Sequence, residues 1–248
     1  MKDPYRYVPL LSNVYRKANA NYFTIKHRGQ GKVCPFCEKE FGSWADYISD
    51  GTCPSCGSCS RHRLLFLYMQ SEPALLAANT KLLHFAAEPC FAIKFRNNPS
   101  LDYTTVDLSA AGVDVHTDIT RMIFKDNSFD LIICVHVLEH IPDDNAAMKE
   151  LQRVLRPGGS ALIMVPYNAN GITDEDPSVV DPRERTRRFG QFDHVRVYGR
   201  DVKDQLQKAS FAVNEIRPVQ KMSKDQAERY GLWDDVIFHC KKPVLPQN

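Results

Sequence analysis

The segment SFDLIICVHVL, residues 128–138, is a nearly continuous apolar run. Such a run fits a central parallel strand covered on both faces. The chain around it alternates strand and helix. KLLHFA reads as a first strand, LDYTTVDL as a second ending at Asp107, and GVDVHTD as a third ending at Asp118. DDNAAMKELQRVL puts Ala147, Leu151, Val154 and Leu155 on one helix face, with Asp143 and Asp144 to cap its start and Gly158 and Gly159 after its end. ALIMVPY gives a fifth strand, GRDVKDQLQKASF a helix, and FAVNEIRP and WDDVIFHCKK the last two strands. This alternation predicts an α/β fold with a doubly wound, mostly parallel sheet of seven strands. Ligands of such sheets lie beyond the carboxyl ends of the strands. That rule gathers the residues after Phe85, Val106, Thr117, Cys134 and Val165 around one crevice.

The 248 residues suffice for one core plus a small module. With 32 basic against 30 acidic residues, the formal net charge of +2 gives no electrostatic mandate for nucleic acid or an anionic membrane. The sequence contains no apolar stretch of about 18 residues, so no membrane span is expected. The first residues, MKDPYRYVPLLSNVYRK, lack the features of a signal peptide. The expected location is cytoplasmic.

Five of the eight cysteines fall between Cys34 and Cys59. Cys34 and Cys37 form one pair and Cys53 and Cys56 a second, each with turn-forming neighbours: Pro35, Pro54 and Gly57. Paired cysteines at this spacing in a reducing compartment suit one tetrahedral Zn²⁺. Cys56 and Cys59 share the same spacing, but the reading takes Cys34, Cys37, Cys53 and Cys56 as ligands and Cys59 as spare. Four protein thiolates leave no open position, so the zinc would be structural. The expected division is an N-terminal arm or short helix (10–19), zinc module and linking helices over 1–78, and a sheet domain over 79–248.

The first turn, HFAAEPC, carries none of the glycines common in nucleotide-binding sheets. Left-handed backbone is unfavourable at Ala or Glu, so a different backbone course is expected there. Asp107 ends the second strand, where an acid suits the hydroxyls of a ribose. Asp118 and Ile119 can frame an adenine. His136, Glu139 and His140 arrive where a ligand should sit.

The stretch FKDNSFDLIICVHVLEHIPDDNAAMKELQRVLRPGGSALIMVPY resembles the central half of class I S-adenosylmethionine-dependent methyltransferases, in the small-molecule type 11 branch. The cysteine module, GSCSRHRLL and RRFGQFDHVRVYGRD resemble a subgroup with an N-terminal zinc knuckle. The resemblance implies a Rossmann-like fold and an S-adenosylmethionine site. His84 stands where the family has an acid, and Ala86, Glu88 and Cys90 stand on the glycine positions. The implied donor-binding residues are His84, Phe85, Ala86, Glu88, Asp107, Leu108, Asp118, Ile119, Val135 and His136, with Cys134 in the same wall. The donor has no phosphate, so a glycine-free turn is compatible with it, and Glu88 could attract its ammonium or sulfonium.

Acceptor residues of the family usually follow the fifth strand. Here residues 168–201 read as a lid rich in arginine: Arg183, Arg185, Arg187, Arg188, Arg196 and Arg200. These could face an anionic or sugar-type small molecule, or pair internally with Asp174, Glu175, Asp176, Asp181 and Glu184. His194 is the first candidate general base and His136 the second. A rival reading is a zinc-knuckle RNA or DNA methyltransferase gripping phosphate with Arg61, His62 and Arg63. The small net charge and the lack of an Asn/Asp-Pro-Pro-aromatic element make nucleic acid the less favoured partner. A third reading is a non-catalytic binding protein on the same fold. The acceptor and the oligomeric state are not specified by the sequence.

Overall fold

A computed structural model describes residues 21–46 and 51–244. The expected helix over 10–19 lies outside the described residues. The chain divides into two compact units. The first comprises the residues up to Pro73, together with Glu88–Asn97 and Pro218–Asp235. The second comprises Ala74–Ala87, Asn98–Arg217 and the residues from Val236 onward. A single cut near residue 78 therefore does not describe the chain, because two later segments return to the cysteine-bearing unit.

The first unit contains a short antiparallel pair, β1 (Lys32–Val33) and β2 (Glu40–Phe41), and the helix α1 (Ser60–Ser71). The returning segments bring α2 (Pro89–Arg96) and α6 (Lys224–Tyr230). The reason for their return is aromatic and polar. Phe36 stacks on Phe66 with ring centres 4.4 Å apart and meets Phe91 edge-on at 4.8 Å. Arg63, fully buried, donates to the carbonyls of Tyr230 (2.7 Å) and Gly231 (2.8 Å).

The second unit holds the sheet: β3 (Thr80–Phe85), β4 (Leu101–Asp107), β5 (Val115–His116), β6 (Phe129–Val135), β7 (Leu155–Met164), β11 (Ala212–Ile216) and β12 (Ile237–Lys241). Their order is β11-β12-β7-β6-β3-β4-β5, with β12 antiparallel to both of its neighbours and the other pairs parallel. This is the expected seven-stranded, mostly parallel sheet. The apolar run forms β6, whose Ile132, Ile133 and Cys134 have no exposed surface. After it, α3 (Asp144–Val154) begins with Asp143 accepting from the Ala146 amide at 2.9 Å. Asp144 does not share that capping role. Its Oδ2 accepts the Tyr198 hydroxyl at 2.6 Å. The glycine pair does not end the helix either. The backbone is already extended at Leu155, so β7 runs through Gly158 and Gly159.

Residues 168–201 form a compact insertion with its own three-stranded sheet. The strands are β8 (Tyr167–Asn168), β9 (Asp174–Glu175) and β10 (Arg196–Gly199), with β10 in the middle. The helix α4 (Pro182–Phe189) lies between β9 and β10 in the chain. It starts on Asp181, whose carboxylate accepts the amides of Arg183 and Glu184, and ends on Gly190 with φ +87°. The helix α5 (Val202–Lys208) follows β10.

Candidate functional site

The two cysteine pairs fold alike. Glu38 N–H donates to Cys34 O at 2.8 Å, and Gly57 N–H donates to Cys53 O at 3.0 Å. Cys34 N–H reaches Lys39 O at 3.0 Å, and Cys53 N–H reaches Ser58 O at 2.8 Å. The residue four after each first cysteine is left-handed in both, Glu38 at φ +59° and Gly57 at φ +75°. Two such turns bring the four thiols together: the sulfurs of Cys34 and Cys56 are 3.5 Å apart, and those of Cys37 and Cys53 are 3.7 Å apart. A tetrahedral ion with Zn–S bonds of about 2.3 Å would set sulfurs about 3.8 Å apart. The donor set therefore fits zinc in both chemistry and spacing. Crowding splits the thiols: hydrogen bonds from Cys37 and Cys53 push Cys34 down, and the neighbouring Cys34 pushes Cys53 and Cys56 up.

Cys59 lies outside this group. It is the residue before α1, and its sulfur sits 3.5 Å from His62 Nδ1. His62 Nε2 pairs with Glu88 Oε1 at 3.1 Å. Burial works against a proton on His62, but the thiols of Cys59 and Cys90 and the Glu88 carboxylate outweigh it and hold its pKa well above the usual value. Glu88, expected to reach a donor, is thus committed to a buried histidine of its own unit. The proposed phosphate grip is also lost in part. His62 is 5% exposed and Arg63 fully buried, with Arg63 spent on carbonyls and on the Trp44 ring 3.9 Å away. Of the three, only Arg61 is not buried.

In the sheet unit the carboxyl ends of β3, β4, β5 and β6 carry the predicted crevice residues. Ala86, directly after β3, is exposed and has φ +47°. Its amide donates to Val106 O at 2.9 Å. The expectation of a different backbone course is therefore corrected: the turn keeps a left-handed residue without a glycine, because this hydrogen bond to β4 holds it. His136, one residue beyond β6, has φ +52° and is held by its amide on Met164 O at 2.8 Å. β3 and β6 are paired neighbours, with Phe85 opposite Cys134. The chain reverses its direction of travel across the sheet between them, as at the switch point where open α/β sheets bind ligands. Left-handed non-glycine residues cost about 1–2 kcal/mol each and gather at such sites.

Asp107 is half-buried; its Oδ1 accepts the amides of Ser109 and Ala110, each at 2.8 Å. Asp118 is exposed, and its Oδ1 takes the Thr120 amide and hydroxyl at 2.8 Å, which holds its carboxyl below the usual range. Leu108 is 69% exposed beside Asp107. Phe85, Ile119 and Val135 are buried. His84 is fully buried, with Nδ1 2.9 Å from the Tyr103 hydroxyl, and serves the sheet interior.

The insertion uses most of its arginines internally. Arg188 pairs with Asp174 and Asp176, each at 2.7 Å, and Arg187 with Glu184 at 2.5 Å. Arg185 donates to Val179 O at 2.9 Å. Arg196 is fully buried and donates to the carbonyls of Leu138, Ile141 and Pro142 and to Glu175. With Val195 N–H on Glu139 O at 2.9 Å, it fastens the insertion to the turn after β6. Arg183 and Arg200 remain exposed. The fastening brings His194 beside His140, with ring centres 4.7 Å apart. His136 Nδ1 lies 3.3 Å from Glu139 Oε1. The role of Arg196 was missed by the sequence reading, which grouped it with the other arginines of the insertion.

This sheet order, with its switch point between β3 and β6, is that of the class I methyltransferase fold. Residues 84–163, about a third of the chain, match the family described as methyltransferase domain. A sterol 4-C-methyltransferase of Caenorhabditis elegans is 41% identical over 49 residues, 20% of this chain and 15% of that one. A demethylmenaquinone methyltransferase of Staphylococcus aureus is 42% identical over 50 residues, 20% of this chain and 21% of that one. The match thus spans about a fifth of the length of these relatives. Among solved structures, Haemonchus contortus phosphoethanolamine N-methyltransferase 2 with S-adenosyl-L-methionine superposes with a TM-score of 0.53 at 16% identity, over 79% of this chain and 55% of that one. The cyclase SpnF superposes with a TM-score of 0.52 at 14% identity, over 95% of this chain and 96% of that one. These likenesses concern the fold. Among the described residues no helix is long and apolar enough to cross a membrane.

Proposed function

We propose that the chain transfers the methyl group of S-adenosylmethionine to a small-molecule acceptor, and that its cysteine unit holds a structural zinc ion. The observation that carries the first part is the pair of left-handed non-glycine residues, Ala86 and His136, at the ends of two adjacent strands inside the segment that matches the methyltransferase family. When bound, the donor supplies an electrophilic methyl group on a cationic sulfur. The chain's residues bind and orient. Asp107 offers its carboxylate to the ribose hydroxyls and Asp118 its carboxylate to the adenine amino group, with Leu108 as an exposed apolar contact. The backbone at Phe85, Ala86, Ile119 and Val135 shapes the crevice, and His136 borders it. His84 and Glu88 act through the fold around the turn, since each is engaged within its own unit. Direct displacement needs alignment more than proton transfer.

The acceptor is expected to meet the insertion. Exposed Arg183 and Arg200, rather than the paired arginines, are the side chains that could attract an anionic group, and Ile172, Val180 and Phe192 offer exposed apolar surface. Zinc at Cys34, Cys37, Cys53 and Cys56 follows from the duplicated turns and the sulfur spacing. Calorimetry against S-adenosylhomocysteine and NAD tests the donor assignment. Saturable binding of the former, weakened at least about tenfold by Asp107→Asn, is expected. Binding of NAD alone would overturn it.

A further inference from the structure

A second group of potential ligands stands apart from the cysteines. Glu139, His140 and His194 each offer a ligand atom within 4.8 Å of the others. Two come from the turn after β6 and one from the insertion, so Arg196 and the Val195–Glu139 hydrogen bond assemble the group. Bonds of about 2.1 Å to one ion would put ligand atoms about 3–4 Å apart. Closing on an ion therefore asks for shifts of no more than about 1–2 Å in side chains already gathered.

Three observations favour a metal over a general base. His194 is 7% exposed, and its Nδ1 lies 2.9 Å from Phe189 O. A ring nitrogen facing a carbonyl must carry the proton, which leaves the Nε2 lone pair for a ligand. That outer hydrogen bond is the usual support of a metal-bound histidine. His140 repeats the arrangement with a carboxylate, its Nδ1 3.5 Å from Asp193 Oδ2. Glu139 has no exposed surface and its Oε1 lies 3.3 Å from His136 Nδ1, so a carboxylate is already held in place beside the two imidazoles.

We propose that Glu139, His140 and His194 form a binding site for one divalent transition-metal ion, with His136 beside Glu139 as its outer partner. Two imidazoles and one carboxylate suit Mn²⁺, Fe²⁺ or Zn²⁺ and leave positions open to water or to an oxygen of another molecule. His194 is then a ligand and not the base suggested by its place in the insertion. The site differs from the cysteine site in every donor type, so the two are separable by metal.

Mn²⁺ is the probe, because it avoids thiolates. The untagged, zinc-loaded chain is titrated with Mn²⁺ and the free ion is followed by electron paramagnetic resonance. Saturable binding of about one Mn²⁺ per chain is expected, with loss of at least about tenfold in affinity in Glu139→Gln and His194→Gln. Excess Zn²⁺ should displace it, following the usual affinity order. Pulsed resonance on the unmutated chain should show nitrogen couplings from two imidazoles, a result that does not depend on any variant folding. Absence of saturable binding, oxygen-only coordination, or binding unchanged in both variants overturns the proposal. S-adenosylhomocysteine binding measured on the same samples reads the donor assignment separately. Its failure with Mn²⁺ binding intact would remove the methyl-transfer reading and leave the metal site standing.

Discussion

Among the described residues each unit buries one arginine completely, and the two are neutralised in different ways. Arg63, in the cysteine unit, donates to four main-chain carbonyls, those of Gly51, Ser58, Tyr230 and Gly231, and lies over Trp44. None of these partners is charged. Burial pushes its pKa down, and only the neighbouring cysteines oppose that, with Cys34 and Cys53 foremost. Arg196, in the sheet unit, has three carbonyls and also two carboxylates, Glu175 at 2.5 Å and Asp144 at 3.5 Å. Burial pushes its pKa down as well, but Glu175, Tyr198 and Asp144 more than offset it, so the net shift is upward. The first arginine thus depends on thiolates for its counter-charge and the second on its own ion pairs. A zinc ion with four thiolates carries a net charge of −2, which is the partner Arg63 lacks in neutral form.

Removing the proposed zinc should break this comparison most severely. Structural zinc is worth on the order of 10 kcal/mol to a small unit. Chelation, or Cys53→Ser, should unfold the cysteine unit and leave Arg63 without a counter-charge. Zinc content falling well below one per chain together with a lost low-temperature transition is the expected outcome. A melt unchanged after chelation would show that the unit stands on its aromatic core alone.

The arginines themselves sharpen it at a smaller scale. Arg63→Met and Arg196→Met should each cost about 3–5 kcal/mol, the usual loss when a buried charge network is opened. Their rescue should differ. In Arg196→Met the nearer of two uncompensated carboxylates is Glu175, so adding Glu175→Gln should recover part of the loss. In Arg63→Met the abandoned partners are carbonyls on separate segments, and no single second substitution should help. Denaturant unfolding of the single and double variants reads both. Equal rescue of the two would erase the distinction between carbonyl and carboxylate compensation.

The sheet was legible because its signals are local. An apolar run such as Leu131–Val135 can be placed in a central strand without knowing its neighbours, and the cysteine pairs announce their turns by spacing. The arginines were not legible in that way. Arg196 sits among Arg187, Arg188 and Arg200 in sequence, and nothing local says that it alone turns inward. Its environment is made by the turn at Leu138–Pro142, more than 50 positions earlier. The ion pair of Glu88 was not legible for the same reason: its partner, His62, is 26 positions away in sequence and was read as a phosphate-touching cation. The two returning segments of the first unit depend on Phe91 and on the carbonyls of Tyr230 and Gly231, contacts that no window of sequence contains.

The smallest expected effects concern the left-handed positions that the two units fill differently. In the second cysteine turn the left-handed residue is Gly57, whereas the first turn places Glu38 there and the sheet's first turn places Ala86. A glycine removes the steric cost of a side chain at positive φ, about 1–2 kcal/mol, but loosens the unfolded chain by about 0.4–1 kcal/mol. Glu38→Gly and Ala86→Gly should therefore each gain about 0.5–1 kcal/mol, after allowance in the first for the exposed pair that Glu38 makes with Lys94. Their consequences should part at the ligand. Glu38→Gly lies in the cysteine unit and should leave S-adenosylhomocysteine binding as it was. Ala86→Gly frees the turn that shapes the crevice, so stability should rise while affinity falls by a few-fold, through the order that must be restored on binding. A rise in both would show that Ala86 is a tolerated relic of a glycine. A rise in stability with weaker binding would show that the methyl group of Ala86 holds the turn in its binding form.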